Sequence, residues 1–190
     1  MIGESNQRAS GDRAVFLDRD GTIIEYVPYL SDPELVRLIP GAGQSLKTLA
    51  NSGFRLVVIT NQSGIQRGLY SESDYEAVNA RLAELLREFG VVLDLFVFCP
   101  HLPDDRCDCR KPEPGLGFLT AAELGLSLSS SFMIGDNRSD IKFGRAIGAT
   151  TILVETGLGL EHRNHSDEIC DFVIPSLKDA PSIILGEMQQ

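Results

Sequence analysis

The chain has 190 residues, of which 43% are hydrophobic, a length that suits one well-packed core and is short for two full domains. Its formal net charge of -10 argues against a surface for nucleic acid or anionic membrane, because phosphates are repelled wherever basic residues are not tightly clustered. No apolar stretch approaches the roughly 18 residues of a membrane span, and the first residues lack the apolar core of a signal peptide. We therefore expect a cytoplasmic monomer with no nucleic-acid partner and no membrane partner.

Short runs of β-branched and aromatic residues alternate with amphipathic segments along the chain. Six of these runs predict strands, and they begin at Arg13, Arg55, Leu93, Ser131, Thr150 and Asp171. Between the second and third runs, Ser71 and Asp74 form a capping-box pattern, apolar residues recur at helical spacing, and Gly90 follows as a stop. That segment predicts a helix. Shorter helices are predicted over Gly43–Asn51, Gly115–Leu124, Ser139–Ile147 and Leu177–Leu185.

This alternation is typical of an α/β fold with a doubly wound, Rossmann-like, mostly parallel sheet covered by helices on both faces. We expect a single domain over residues 13–186, preceded by a flexible segment over residues 1–12. The segments between the predicted strands are too short for a large cap domain. The fold class thus predicts an open site that is recognised through loops.

Polar residues follow four of the predicted strands, and ligands of a doubly wound sheet collect outside the carboxyl ends of its strands. Asp18 and Asp20 follow the first strand, Thr60 ends the second, Lys111 follows the third and Asp136 follows the fourth. Carboxylates from two strands can share Mg²⁺, a hard cation that also accepts substrate phosphate. Thr60 and Lys111 would then hold the remaining phosphate oxygens. The set predicts a site for phosphoryl transfer.

The four motifs around these residues resemble the ordered motifs of the haloacid dehalogenase (HAD) superfamily of phosphohydrolases. They read "DRDGT" from Asp18, "VVITN" through Thr60, "CRKPEPG" around Lys111 and "IGDNRSD" around Asp136. The resemblance implies that Asp18 is the nucleophile and forms an aspartyl phosphate, and that Asp20 is the general acid and then the base. It also implies catalytic roles for Thr60 and Lys111, and a Mg²⁺ site at Asp18, Asp20 and Asp136. Asp140 could join the metal or begin the next helix as an N-terminal acid.

A second metal site is predicted from four side chains within eleven residues: Cys99, His101, Cys107 and Cys109. Three thiols and one imidazole complete a tetrahedral Zn²⁺ shell with no open position, which indicates a structural zinc. A disulfide is the weaker alternative in a cytosolic chain. The zinc loop leads directly into Arg110 and Lys111, so it would fix where those cations point. Cys170 is predicted to be an inert core thiol.

The Cys-x-His and Cys-x-Cys loop is similar to that of the bacterial D-glycero-D-manno-heptose 1,7-bisphosphate 7-phosphatases and the related histidinol-phosphate phosphatases. Ser63 favours the heptose branch, because histidinol phosphatases typically carry an acidic residue there. By the family pattern, Asn61, Ser63, Arg110 and Lys111 would contact a small phosphorylated sugar. Asn137 departs from the pattern, since the heptose enzymes often carry a lysine at that position.

The leading hypothesis is therefore a Mg²⁺-dependent phosphatase that removes the 7-phosphate of heptose 1,7-bisphosphate for lipopolysaccharide precursors. Histidinol-phosphate phosphatase and a catalytically idle HAD-fold binding module remain as alternatives. A polynucleotide 3'-phosphatase shares the carboxylate pair, but the acidic chain has no basic stripe. The role of Arg67 near the cleft mouth, as a substrate contact or a solvated loop charge, is open.

Overall fold

Six parallel strands form the centre of the computed structural model, which describes residues 12–163 and 170–188. The strands are β1 (Ala14–Leu17), β2 (Arg55–Asn61), β3 (Leu95–Cys99), β4 (Phe132–Gly135), β5 (Thr150–Val154) and β6 (Phe172–Ile174). Each overlaps one of the six predicted runs, and β2 and β3 extend one residue beyond theirs. The segment predicted to be flexible lies, apart from its last residue, outside the described residues. The fold prediction is confirmed: the sheet is parallel throughout, in the order β3-β2-β1-β4-β5-β6.

Helices connect the strands, as expected for parallel pairing. They are α1 (Ala42–Asn51), α2 (Glu72–Arg87), α3 (Gly115–Leu124), α4 (Arg138–Ala146), α5 (Gly159–Arg163) and α6 (Ala180–Glu187). The five predicted helices are present, and the short α5 is an addition. The predicted cap of α2 is formed: the Asp74 amide donates to Ser71 Oγ, and the Ser71 amide donates to the Asp74 carboxylate at 2.8 Å. Among the described residues, no helix is long and apolar enough to cross a membrane.

The core is divided by the sheet into two layers. Successive residues of β1 alternate between them, so that Val15 and Leu17 pack in the layer with α1, α2 and α6, while Phe16 packs on Phe143 of α4. Both layers bury the strand completely, which explains the unbroken apolar run of β1. Cys170 lies just before β6 and is only partly buried, so its predicted place in the core is wrong.

The strand order positions the site. The chain leaves β1 in one direction through β2 and β3 and then returns to the other side of β1 at β4. Such a reversal opens a crevice at the carboxyl ends of the two central strands. Asp18 follows β1 and Asp136 follows β4, so both face this crevice. The connection from β1 to α1 contains one 3-10 turn, at Pro33–Leu35, and no further domain.

Candidate active site

A cleft of about 440 Å³ lies at the carboxyl ends of the central strands. Its lining includes all the residues predicted for catalysis, for magnesium and for substrate, namely Asp18, Asp20, Thr60, Asn61, Ser63, Arg110, Lys111 and Asp136. Arg67 is exposed and does not line the cleft. The residues predicted from the sequence are therefore brought together in one cleft.

Three buried carboxylates lie together at the base of the cleft. Asp18, Asp136 and Asp140 each offer an oxygen, and these atoms lie within 4.8 Å of one another. The Lys111 ammonium donates to Asp18 Oδ1 at 2.6 Å and to the Ile59 carbonyl at 2.8 Å. It also forms an ion pair with Asp140 Oδ1 at 2.6 Å. One positive charge thus faces three negative charges in a place that is almost closed to water.

This excess of negative charge shifts the acidities of the site. Burial raises the pKa of Asp136 to about 8, and the charges of Asp18 and Asp140 add to the effect. Burial also raises the pKa of Asp140 to about 6, although the Lys111 charge opposes it. For Lys111, burial would lower the pKa, but the charges of Asp140 and Asp18 outweigh burial and raise it. The lysine is therefore a fixed cation.

The carboxylate cluster fits a divalent cation. Its donors are oxygens, the ligands that Mg²⁺ prefers, and its net negative charge is what such an ion would neutralise. The Asp20 carboxylate is not a member of this group, which contains Asp140 in its place. The direct role of the Asp20 side chain at magnesium stays a prediction, whereas Asp140, left open by the sequence, places a carboxylate oxygen in the cluster.

Asp140 reaches the cluster because α4 begins there. Asn137 caps the helix by accepting from the Ser139 amide at 3.0 Å, and Asp140 Oδ2 accepts from the Asn137 amide at 2.9 Å. Gly135 makes room, since a Cβ at that position would lie 2.2 Å from Asp140 Oδ2. Asn137, which departs from the family pattern, therefore has its side-chain oxygen occupied by the helix cap.

The Asp20 carboxylate lies beside the cluster and is held by its own donors. Arg19 contacts both of its oxygens, at 2.9 to 3.2 Å, and Gln62 Nε2 donates to Oδ2 at 2.9 Å. Arg19 is 1% exposed and also donates to Asn79 of α2 at 3.1 Å. Burial raises the pKa of Asp20, Arg19 opposes this shift, and the Asp18 charge adds to it. A raised pKa suits a carboxyl that must carry a proton to a leaving group.

Gln62 is a buried residue of the site that sequence reasoning missed. Its Nε2 donates both to Asp20 and to Thr60 Oγ1, each at 2.9 Å, and its Oε1 accepts from the Tyr70 hydroxyl. Burial raises the pKa of Tyr70 to about 12, so this hydroxyl remains a donor at neutral pH. The signal available in the sequence was weak, because the glutamine stands in a loop among other polar residues.

Asn61 and Arg110 hold the loop that follows β3. Asn61 Nδ2 donates to the Lys111 carbonyl, and the Lys111 amide donates to Asn61 Oδ1, both at 3.0 Å. Arg110 donates to the His101 carbonyl at 3.1 Å. Both polar atoms of the Asn61 side chain therefore bind the Lys111 backbone. A direct contact of Asn61 with substrate stays a prediction, as do those of Ser63 and Arg110.

The four predicted zinc ligands meet at the end of β3. The contacts recorded among Cys99 Sγ, His101 Nδ1, Cys107 Sγ and Cys109 Sγ range from 3.1 to 3.6 Å. Donors at about 2.3 Å from a tetrahedral zinc lie about 3.8 Å apart, close to this spacing. The cysteines form no disulfide. The donor set and its compactness fit a structural Zn²⁺ site with no open position.

The chain is similar in sequence to known proteins. Residues 108–180 match the model of the HAD-hydrolase-like family. The D-glycero-beta-D-manno-heptose-1,7-bisphosphate 7-phosphatase of Pseudomonas aeruginosa is 40% identical over 147 residues, 77% of this chain and 83% of that protein. The enzyme of the same name from Photorhabdus laumondii is 36% identical over 184 residues, 93% of this chain and 97% of that protein.

Solved structures give the same relationship. The crystal structure of D,D-heptose 1,7-bisphosphate phosphatase from B. bronchiseptica, complexed with magnesium and phosphate, superposes with a TM-score of 0.86 at 30% identity. The match covers 92% of this chain and 99% of that one.

Proposed function

Because the chain belongs to the heptose-bisphosphate 7-phosphatase family of HAD-like hydrolases, we propose that it removes the 7-phosphate of D-glycero-beta-D-manno-heptose 1,7-bisphosphate. The observation that carries the proposal is the pairing of Asp18 with the buried Lys111 ammonium, next to an Asp20 carboxyl held at the same cleft. A nucleophile, a fixed cation and an acid are thereby available to one phosphoryl group. The reaction would serve the synthesis of nucleotide-heptose precursors of lipopolysaccharide.

In the first step, a carboxylate oxygen of Asp18 attacks the phosphorus of the 7-phosphate. The bond from phosphorus to the C7 oxygen breaks, and Asp20 gives its proton to that oxygen, so that the sugar leaves as an alcohol. The product on the protein is an aspartyl phosphate at Asp18. Lys111 and the Thr60 hydroxyl hold the transferred oxygens as their charge develops.

In the second step, the aspartyl phosphate is hydrolysed. Asp20 is now ionised and accepts a proton from a water molecule, whose oxygen attacks the phosphorus. The bond from phosphorus to the Asp18 oxygen breaks and inorganic phosphate is released. The protein returns to its starting state, with Asp18 ionised and Asp20 protonated.

Asp18, Asp136 and Asp140 would hold Mg²⁺, which supplies positive charge against which a phosphate dianion can bind. The three carboxylates and Lys111 together carry a net charge of about -2 when all are ionised, so the cluster by itself repels phosphate. Cys99, His101, Cys107 and Cys109 would hold a structural Zn²⁺. Its closure of the loop would support Arg110, which donates to the His101 carbonyl.

The proposal is tested by phosphate release in the presence of Mg²⁺ from three substrates: the beta and alpha anomers of the heptose bisphosphate, and histidinol phosphate. We expect kcat/KM for the beta anomer to exceed that for histidinol phosphate by at least a hundredfold, about 2.7 kcal/mol of transition-state discrimination. Asp18→Asn serves as the inactive control, because it removes the nucleophile and keeps the shape. A preference for histidinol phosphate would overturn the proposed substrate assignment. No turnover of any of the three substrates would favour a catalytically idle binding module.

A further inference from the structure

The two oxygens of the Asp20 carboxylate are not equivalent. Oδ2 accepts from Arg19 Nε at 3.1 Å, from Arg19 Nη2 at 2.9 Å and from Gln62 Nε2 at 2.9 Å. Oδ1 accepts one longer contact, 3.2 Å from Arg19 Nη2. A carboxylate oxygen that is filled by three donors has no room for a proton, so the proton that Asp20 transfers belongs on Oδ1. The donors on Oδ2 thereby decide which oxygen faces the reaction.

The orientation of the Gln62 amide is fixed by its surroundings. Its NH₂ group donates to Asp20 and to Thr60, while its oxygen accepts from the Tyr70 hydroxyl. A flipped amide would place its oxygen against the Asp20 carboxylate, and two acceptors repel each other. Gln62 is 5% exposed and Tyr70 is 8% exposed, so water offers few substitute partners. The tyrosine and the acid therefore select one amide orientation together.

We propose that Gln62, held by Tyr70, is a positioning residue for Asp20: it occupies Oδ2 and turns Oδ1 toward the leaving oxygen. This role rests on the proposed function, in which Asp20 is the general acid. Arg19 cannot supply the orientation alone, because its guanidinium contacts both oxygens of the carboxylate. Gln62 contacts only Oδ2 and approaches from the side of Thr60. Arg19 also favours Oδ2, through two of its three contacts, but Gln62 is the partner that donates to Oδ2 alone.

The inference is tested by how the effect of a Gln62 variant depends on the leaving group. A sugar alkoxide needs a proton as it departs, whereas p-nitrophenolate is a stable anion and leaves without one. For Gln62→Met we expect kcat/KM to fall about 10- to 100-fold with the heptose bisphosphate and less than about threefold with p-nitrophenyl phosphate. If the heptose compound is not cleaved, the best-cleaved sugar phosphate of a hexose phosphate panel takes its place.

A merely structural effect would lower both kcat/KM values together and leave their ratio unchanged. Each kcat/KM value reports the steps up to the formation of the aspartyl phosphate, so the hydrolysis of that intermediate does not affect the ratio. Gln66→Met, at an exposed glutamine outside the cleft, is the matched control and should leave both values unchanged. Tyr70→Phe removes only the hydroxyl that fixes the amide, and should change the ratio in the same direction if Gln62→Met does not fold.

Asp20→Asn distinguishes the two proposals. It should lower kcat/KM for the sugar phosphate far more than for p-nitrophenyl phosphate. Equal losses with both substrates would remove Asp20 as the general acid, and the positioning role of Gln62 would fall with it. A second outcome is that Asp20→Asn lowers kcat/KM more for the sugar phosphate, while Gln62→Met and Tyr70→Phe lower kcat/KM equally for both substrates or for neither. In that case Asp20 keeps its role and the positioning inference is wrong.

Discussion

Replacing Lys111 with methionine tests whether one ammonium holds the carboxylate cluster together. The Lys111 side chain is 1% exposed, and its Nζ lies 2.6 Å from both Asp18 Oδ1 and Asp140 Oδ1. Methionine has a similar length and no charge, so the variant leaves two buried carboxylates without their cation. Uncompensated buried charge, rather than lost packing, should dominate the effect.

The magnitude follows from the burial of the pairs. Breaking a buried ion pair by removing one partner costs about 3–5 kcal/mol. With a urea dependence of about 2 kcal/mol per molar, this loss moves the unfolding midpoint down by about 2 M. The loss should also depend on pH. Burial already raises the pKa of Asp140 to about 6, and the Lys111 charge opposes this shift. Removal of the Lys111 charge should therefore raise the pKa of Asp140 further.

The sign of the pH effect is fixed by proton binding. A carboxyl whose pKa is higher in the folded than in the unfolded protein binds more protons when folded, so stability rises as the pH falls through the folded pKa. The stability deficit of Lys111→Met should therefore be large near about pH 7.5 and smaller near about pH 5.5. Urea unfolding followed by circular dichroism in magnesium-free buffer measures both values.

Lys47→Met is the control for this experiment, because Lys47 is exposed on α1 and does not line the cleft. It should change the unfolding free energy by less than about 0.5 kcal/mol. A loss below about 1 kcal/mol for Lys111→Met near neutral pH would refute the reasoning. So would a loss of the same size at both pH values, since the deficit would then not come from ionised carboxylates.

Three further predictions concern other parts of the chain. Cys109→Ser should lower bound zinc, measured by metal analysis, from about one equivalent to less than about half. Gly21→Ala should reduce phosphatase activity at least about tenfold, because its Cβ would lie 2.2 Å from Asp136 Oδ2 and the backbone φ there is +84°. Gly53→Ala is the control: its φ is similar, but no atom lies within 4 Å of the new Cβ. It should cost only about 1 kcal/mol of stability and leave activity intact. For Asp171, burial raises the pKa, but hydrogen bonds from the Thr151 hydroxyl and amide outweigh burial and lower it. Asp171→Asn should therefore lower the free energy of unfolding by about 1 kcal/mol at neutral pH. In denaturant titrations, the difference between wild type and variant should vanish as the pH falls through the lowered pKa. A difference that is constant with pH would contradict the prediction.

The strands and the main carboxylates could be predicted from the sequence because their signals are local. A strand buried on both faces must be apolar throughout, and β1 and β4 are short runs of that kind. A charged residue directly after such a run lies at the carboxyl end of the sheet, where parallel strands bring their ends together. Asp18 and Asp136 could therefore be placed at the site from the sequence alone.

Asp140 could not be assigned from the sequence because one residue serves two purposes. As the third residue of α4 it accepts from the Asn137 amide, which is what an N-terminal acid does in any helix. Its other oxygen forms the ion pair with Lys111. Only the path of the chain, with Gly135 leaving space for the carboxylate, shows that the helix begins inside the cleft.

The support of Asp20 was hidden for a different reason: it depends on residues that are distant in sequence. Gln62 bonds to Asp20 across forty-two residues, and Arg19, the neighbour of Asp20 in sequence, bonds to Asn79, sixty residues further along the chain. One clue was present. Asn79 stands four residues after Tyr75 on the buried side of α2, where a polar side chain requires a partner. That partner is the guanidinium of Arg19, which also lies over the Tyr75 ring.

The end of β2 explains how a site without a large cap keeps its groups in place. Asn61 is the last residue of β2 and Gln62 follows it, and their side chains reach different neighbours. Asn61 binds the backbone of Lys111, while Gln62 binds the carboxylate of Asp20. The backbone N–H of Gln62 also donates to the Cys99 carbonyl at 2.7 Å, which ties this turn to the first residue of the Cys/His cluster. The positions of Lys111, beside the proposed nucleophile, and of Asp20, the proposed acid, therefore depend on one register, that of β2 on β3.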